Sequence, residues 1–242
     1  MSNFKLLGVL TATAVTLGVA LAGTASAATV AFTSSGIFSS TGVANPCTVG
    51  CSGNNTSFYT IGTNNGFFQP DSTLSATAFS SGSFSTDATS VRIGEIVWNN
   101  QATPSNTTDS NFNLNYLLTV NFSLPTDLAA DTTTFLINVL QPTNPPGDTL
   151  VNMNVGIPNI GPFALAGVTV SNIHWVLAPG SDGSTFNSGT GAWNNPENNT
   201  ATLRLVADFT ATAVPVPEPA SFAILGAGLL GLAAARRARR QG

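Results

Sequence analysis

Only a few side chains in this chain have the chemistry of a catalytic group. The single histidine, His174, lies in residues 172–177, which read NIHWVL. Strand-like alternation places Ile173, Trp175 and Leu177 on one face and His174 on the other, which predicts an imidazole that is solvent-facing or locally bonded. A Ser-His-Asp triad would need an activated serine beside it, and the sequence has no Gly-x-Ser-x-Gly elbow. We therefore expect no catalytic triad.

The two cysteines, Cys47 and Cys51, are separated by three residues in a glycine-containing stretch. In an oxidising compartment such a pair most simply forms a small disulfide. The short loop that it closes stabilises a fold only modestly. A zinc site would need two more ligands nearby, and none follows in the sequence. We expect a disulfide between Cys47 and Cys51, with no metal and no cofactor.

Carboxylates offer a second kind of chemistry, because two of them are enough for a glycosidase. The required distance between the two carboxylates cannot be read from the sequence, so the sequence does not exclude this activity. Glu95 shares a strand face with Val91, Ile93 and Val97, where burial would raise its pKa. The opposite face, which holds Trp98, is equally able to be the core face. We favour Glu95 as a rim residue or a cross-strand partner of an arginine, and a secreted carbohydrate-active enzyme is the alternative function.

Trp193 is the candidate glycan contact of a lectin-like module, the other alternative. It lies in residues 188–197, a polar stretch where an exposed indole flanked by amides could stack on a sugar ring. A loop tryptophan can also fold back over the end of a sandwich. The loops at residues 144–148 and 182–184 are rich in Asp, Asn and Gly, but turn formation explains them without calcium.

The elements that must position these groups are strands. Residues 112–124 alternate apolar and mostly polar side chains with period two, and Pro125 ends the run. Shorter runs of the same kind occur at residues 29–33, 58–63, 73–79, 91–98, 134–140, 150–155, 165–170, 173–177 and 201–210. Because polar turns separate them and no helix is interleaved, we predict an all-β, antiparallel sandwich or jelly-roll-like domain over residues 28–213.

The charge of this domain restricts its partners. Arg92 and Arg204 stand against ten carboxylates, a formal charge of −8. No basic patch exists to neutralise phosphates, so nucleic acid is excluded as a partner. Asn, Ser, Thr and Gly supply most of the remaining polarity, which suits a protein of the extracellular matrix.

Both ends of the chain carry targeting patterns. Residues 1–27 combine Lys5, an apolar run and Ala25-Ser26-Ala27, which predicts a helical secretory signal handled by the translocon and signal peptidase. Residues 214–242 contain Val216-Pro217-Glu218-Pro219, which the prolines hold extended. The uncharged stretch that follows, residues 221–235, would be about 22 Å long as a helix, short of a hydrocarbon core of roughly 30 Å. We predict a short transmembrane helix that inserts transiently.

Four arginines close this tail and predict a stop-transfer signal with the C-terminus in the cytoplasm. They are Arg236, Arg237, Arg239 and Arg240. The order of Pro-Glu-Pro motif, apolar helix and arginine cluster resembles the PEP-CTERM sorting signal of Gram-negative bacteria. That resemblance implies recognition and processing by an exosortase, a membrane-embedded protease or transpeptidase, in bacteria that commonly make exopolysaccharide.

A second resemblance covers residues 113–150. The run LNYLLTVNFSLP at residues 114–125, with FLINV at 135–139 and GDTL at 147–150, is similar to choice-of-anchor K domains of bacterial surface proteins. Together these patterns predict an exported, non-enzymatic protein of the cell surface or extracellular matrix. Its expected role is structural or interactive, with exopolysaccharide as a candidate partner.

Overall fold

The computed structural model describes residues 27–62, 71–102, 109, 111–125, 127–140, 147–154, 157, 160–161, 163–212 and 220–239. Ala25–Ala213 form one compact unit, and the C-terminal helix belongs to another. All but the last residue of the predicted signal, residues 1–27, lies outside the described residues. The same holds for Val216, Pro217, Glu218 and Pro219 of the predicted sorting motif.

Thirteen strands are present in the described residues. In chain order they are β1 (Thr29–Ser39), β2 (Cys51–Ser52), β3 (Phe58–Ile61), β4 (Ser72–Ala76), β5 (Phe79–Ser85), β6 (Ala88–Asn100), β7 (Asn111–Leu124), β8 (Asp131–Leu140), β9 (Asp148–Val151), β10 (Val168–Leu177), β11 (Thr185–Asn187), β12 (Ala192–Asn195) and β13 (Asn199–Ala211). The first sheet has the order β11-β12-β9-β8-β7-β1-β5, and the second β10-β13-β6-β4-β3-β2. Neighbouring strands pair antiparallel throughout both sheets.

Strand β7 shows why the sequence folds this way. Six apolar side chains at alternate positions of this strand are buried, namely Phe112, Leu114, Tyr116, Leu118, Val120 and Phe122, and only Leu124 at its end is exposed. It pairs with β8 from Asn111↔Leu140 to Val120↔Asp131, and with β1 on its other side. A slip of one residue would carry this whole set to the solvent face, so the hydrophobic pattern specifies the register.

Aromatic side chains join the two sheets across a common core. Phe32 of the first sheet stacks on Phe209 of the second, with ring centroids 6.0 Å apart. The rings of Tyr116 and Trp175 are tilted by 52° with centroids 6.3 Å apart, and the Trp175 indole N–H donates to the carbonyl of Met153 at 2.8 Å. Each such buried ring stabilises the fold by roughly 1.5 to 3 kcal/mol.

Gly36 of β1 lies directly against the ring of Tyr116. A Cβ at residue 36 would collide with the tyrosine Cε2 and hydroxyl atoms, so only glycine fits at this point. The buried position raises the pKa of the Tyr116 hydroxyl far above its usual range. The missing Cβ of Gly36 thus leaves the space beside β1 that the Tyr116 ring occupies.

The predicted all-β, antiparallel architecture is confirmed, but some strand limits are not. The run predicted over residues 73–79 combines the end of β4 with the start of β5, because the chain crosses from the second sheet to the first after Ala76. The two runs predicted within residues 165–177 are one strand, β10, interrupted by a bulge at Asn172, where φ is 51°. Strands β2, β11 and β12 were not predicted.

The other unit contains α1 (Ala220–Arg239). Leu229, Leu230 and Leu232 of this helix are exposed. Among the described residues, no helix combines the length and the hydropathy that a membrane crossing requires. The predicted short transmembrane helix is thus not confirmed.

Candidate functional site

A cluster of buried and partly buried amide side chains lies where strands of both sheets meet. We call it the asparagine cluster, and it consists of Asn100, Asn195 and Asn199 with Ser72 and Ser184. Asn100 ends β6, Asn195 ends β12 and Asn199 begins β13, so the turn from β12 to β13 carries the chain from the first sheet to the second. Asn100 and Asn195 are fully buried.

Hydrogen bonds connect every member of the asparagine cluster. The side-chain Oδ1 of Asn195 accepts from Asn199 Nδ2 at 2.8 Å and from Ser184 Oγ at 2.5 Å. Asn195 Nδ2 donates to the backbone carbonyl of Trp98 at 3.1 Å, and Asn100 Nδ2 donates to that of Asn195 at 2.8 Å. Ser72 Oγ donates to Asn100 Oδ1 at 3.2 Å. Such a satisfied network ties two sheets together without leaving buried polar groups unpaired.

Two carboxylates adjoin this network. Asp148 begins β9, pairs in register with Asn195 and is only 2 % exposed. Burial, then the nearby charge of Glu197, raise the pKa of Asp148 to about 7, while a hydrogen bond with Asn100 opposes the shift. Burial also raises the pKa of Glu197, whose Oε1 is buried without a hydrogen-bond partner among the described residues. The pKa of Asp148 therefore lies close to neutral pH.

The backbone explains why these carboxylates come together. A Cβ at Gly147 would lie 2.5 Å from the carbonyl oxygen of Asn195, so glycine allows the start of β9 to approach the β12–β13 turn. Gly183 belongs to a different glycine-containing turn, and it lies beside Pro196 of the β12–β13 turn. From the sequence alone, these segments are predicted only to be turns. The alternation of Asp148 with buried Leu150 is the one signal that could have indicated an inward carboxylate.

Trp193 is fully buried on β12, and the prediction that it contacts a glycan is wrong. Its indole meets Trp98 edge to face, with ring centroids 5.2 Å apart. The hydrophobic effect places this large ring between the sheets, and no exposed face is left on which a sugar could stack. Both indole N–H groups lack a hydrogen-bond partner within the part of the chain that the structure describes.

Glu95 forms ion pairs with both arginines of the domain. Its Oε2 lies 2.9 Å from Arg92 Nη1 and 2.8 Å from Arg204 Nε on the neighbouring strand. Burial acts to raise the pKa of Glu95, but the hydrogen bonds from Arg204 and Arg92 outweigh it and the pKa lies below its usual range. The prediction of a cross-strand arginine partner is confirmed, and Glu95 is buried rather than at a rim.

Cys47 and Cys51 form a disulfide, with their Cα atoms 6.1 Å apart. Asp109 also holds this loop, because one of its carboxylate oxygens accepts from the backbone N–H groups of Thr48 and Val49 at 2.6 and 3.1 Å. The hydrogen bond from Thr48 is the main reason that the pKa of Asp109 lies below its usual value. The loop is thus fastened both covalently and electrostatically.

His174 is partly exposed on β10 and makes a local hydrogen bond, which was one of the two predicted environments of its imidazole. Its Nδ1 lies 2.7 Å from the carbonyl oxygen of Asn172, which can only accept, so Nδ1 carries the proton. The imidazole therefore forms a hydrogen bond to the backbone of the β10 bulge. No group of three or more His, Cys, Asp or Glu side chains in the described ranges is arranged to hold a metal.

The predicted stop-transfer arginines end α1. Arg236 and Arg237 are exposed, and Arg239 is the last residue of the helix. Arg240, like the Pro-Glu-Pro motif, lies outside the described residues. The helix therefore extends across the predicted apolar segment and into the arginine cluster.

Comparison with known families identifies this tail. Residues 215–240 match the PEP-CTERM protein-sorting motif. No curated protein is significantly similar to the chain in sequence. The motif implies that the protein is exported and sorted by an exosortase-type system, which makes exosortase its processing partner and the cell surface or the extracellular space its destination.

Proposed function

We propose that the β domain is a structural or interaction module of the cell surface or extracellular matrix. In this proposal the signal at residues 1–27 leads the chain through the translocon and is removed by signal peptidase. The tail then inserts transiently and exosortase processes it. The observation that carries the proposal is the sorting motif at residues 215–240, placed directly after the β domain.

The chemistry of the β domain supports binding rather than catalysis. Its two arginines both engage Glu95, so no unpaired cation is offered to a phosphate backbone. His174 bonds to its own strand, and the asparagine cluster is satisfied internally. We propose a display role close to that of choice-of-anchor K domains, with exopolysaccharide as the candidate partner.

The experiment that tests this proposal replaces Pro217, Glu218 and Pro219 by alanine in the producing organism. We expect the variant to reach the membrane but to keep its tail, because the motif and not the apolar segment is what exosortase recognises. Intact-mass spectrometry of the recovered protein measures the C-terminus. The matched control is Pro215→Ala, which removes a neighbouring proline but leaves Pro-Glu-Pro in place. Normal tail removal in the triple variant would refute the proposal.

One observation favours a carbohydrate-active enzyme as the second candidate. Asp148, with a pKa of about 7 beside Glu197, meets the acid–base requirement of a two-carboxylate glycosidase. Its 2 % exposure argues for a structural carboxylate instead, since a general acid must reach its substrate. Hydrolysis of a polysaccharide by the wild-type chain, lost in Glu197→Gln, would favour the enzyme over the binding module.

A further inference from the structure

We propose that one end of the β domain is the surface that contacts exosortase while the tail is processed. This surface, which we call the tail-side end, consists of residues 85–90, 167–172 and 208–212 together with Ala28. Strand β1 begins here and strand β13 ends here. The proposal deepens the proposed function and rests on it, because it names the surface by which the domain meets its processing enzyme.

The start of the β domain is fastened to the turn between β5 and β6. The backbone N–H of Ala28 donates to Thr86 Oγ1 at 3.0 Å, and the backbone N–H of Thr86 donates to the carbonyl of Ala28 at 2.9 Å. Thr29 continues this contact by pairing with Ser85. The predicted signal at residues 1–27 therefore joins the domain beside the β5–β6 turn.

The end of the β domain is fastened at the same place. The backbone N–H of Asp87, in the β5–β6 turn, donates to the carbonyl of Phe209 at 2.6 Å. The backbone N–H of Thr212 donates to the carbonyl of Gly167 at 2.9 Å, and the hydroxyl groups of Thr169 and Thr212 lie 2.7 Å apart. The β5–β6 turn thus holds the first and the last strand of the domain together.

Only a short piece of chain separates this end from the sorting motif. The matched motif begins at residue 215, and Pro217 is the fifth residue after Thr212. Five residues span at most about 18 Å, even when they are fully extended. Strand β13 carries the opposite end of the domain roughly 30 Å away, because Thr200 and Thr210 are ten residues apart on it. An exosortase that holds the motif therefore works next to the tail-side end, with the asparagine cluster farther away.

The backbone of the tail-side end is held in an unusual shape. Asp87, Ser90 and Asn172 have positive φ values of 74°, 53° and 51°. The carboxylate of Asp208 fixes two of these residues, because it accepts from the backbone N–H of Ser90 and from Asn172 Nδ2, both at 2.8 Å. Such left-handed conformations are unfavourable for residues other than glycine, and they cluster at functional sites. A surface fixed in this way loses little conformational entropy when another protein binds to it.

The charge of this end favours a protein surface over lipid headgroups. Its charged side chains are Asp87 and Asp208, and its sequence contains no lysine or arginine. Removal of the signal would add one positive charge at the new N-terminus, and the end would remain net negative. Anionic headgroups attract basic segments, so an acidic end is not suited to rest on them. Its exposed hydroxyl and amide groups can instead form the hydrogen bonds of a protein–protein interface.

Photo-crosslinking of the full chain in the producing organism tests this contact. Benzoylphenylalanine replaces exposed threonines one at a time, Thr89 and Thr210 at the tail-side end and Thr185 and Thr200 near the asparagine cluster. We expect crosslinks to exosortase from the first pair only, since β13 places Thr200 roughly 30 Å from Thr210. Equal crosslinking from both pairs would overturn the proposal.

A second measurement separates the enzyme from the membrane as the contacting surface. The double variant Thr89→Arg with Thr210→Arg places two long cationic side chains on the tail-side end. Contact with a protein should make tail removal about tenfold slower, which corresponds to about 1.4 kcal/mol, whereas anionic headgroups would attract the added charge. The matched control, Thr185→Arg with Thr200→Arg, should be processed at the unaltered rate. Unchanged or faster tail removal in the first variant, or equal slowing in the control, would overturn the proposal.

Folding and sorting are measured separately from the contact. Unchanged tryptophan fluorescence would show that each variant is folded, since all three tryptophans are buried. If the unaltered chain keeps its tail, the sorting proposal itself is rejected. If the tail is removed normally but neither Thr89 nor Thr210 crosslinks to exosortase, only the tail-side end is rejected.

Discussion

Replacing Asp148 by asparagine should make the β domain more stable at pH 8 and remove much of its pH dependence. Asp148 is 2 % exposed, and its pKa rises from 3.8 to about 7 in the folded protein. In the unfolded chain the carboxyl group ionises near its ordinary pKa. Folding therefore keeps a proton on Asp148 between these two values, and above pH 7 the native state must hold a buried charge beside Glu197.

The sign and size of the effect follow from this difference. The folded state binds more protons than the unfolded state between about pH 4 and pH 7, so the free energy of unfolding falls as pH rises through that window. A shift of about three pKa units corresponds to at most about 4 kcal/mol at about 1.4 kcal/mol per unit. Burial also raises the pKa of Glu197, which acts in the same direction.

Guanidinium denaturation at pH 5 and pH 8, followed by the fluorescence of the buried tryptophans, measures both effects. The wild type should be less stable at pH 8 than at pH 5, and Asp148→Asn should show a much smaller difference. Asparagine keeps the shape and accepts the hydrogen bond from Asn100 without carrying a charge. The matched control is Asp182→Asn, an exposed aspartate in a turn. The reasoning fails if Asp148→Asn is less stable than wild type at pH 8 or keeps the full pH difference.

Three further predictions concern the tail, the disulfide loop and the core. Changing Arg236, Arg237, Arg239 and Arg240 to alanine should weaken stop-transfer and reduce tail processing, and unchanged sorting in a fractionation and mass-spectrometry assay would contradict this. Cys47→Ser with Cys51→Ser should cost about 2 kcal/mol of unfolding free energy, as the short loop predicts, and a loss near zero by denaturation would show that Asp109 suffices. Gly36→Ala should destabilise the domain by about 1 to 3 kcal/mol because its methyl group meets the ring of Tyr116, and an unchanged thermal midpoint would show that the ring can move.

The strand pattern was largely predictable because it depends on local alternation. The run at residues 112–124 became β7 within one residue of its predicted start, since six apolar side chains on one face require a single register. Short or interrupted strands were harder. β12 has only four residues, and its polar neighbours resemble a loop until β9 and β11 are placed beside it.

The candidate site was less predictable because its members come from distant parts of the chain. Glu95 had two competing faces in the sequence, and the cross-strand pairing with Arg204 is what brings it to both arginines. Asp148 and Glu197 lie at opposite ends of the segment that contains β9 to β12. The local sequence around each of them is typical of a turn. Their coupling exists only because Gly147 approaches the β12–β13 turn.

The sequence by itself determined the class of the fold and the PEP-CTERM sorting motif. Period-two hydrophobicity specifies strands locally, and a linear motif such as residues 215–240 is recognised as a linear segment. Only the tertiary structure decided which polar and aromatic side chains became buried. Trp193 lies between the sheets and the pKa of Asp148 rises to about 7 because burial and pKa depend on neighbours that the fold brings from elsewhere in the chain.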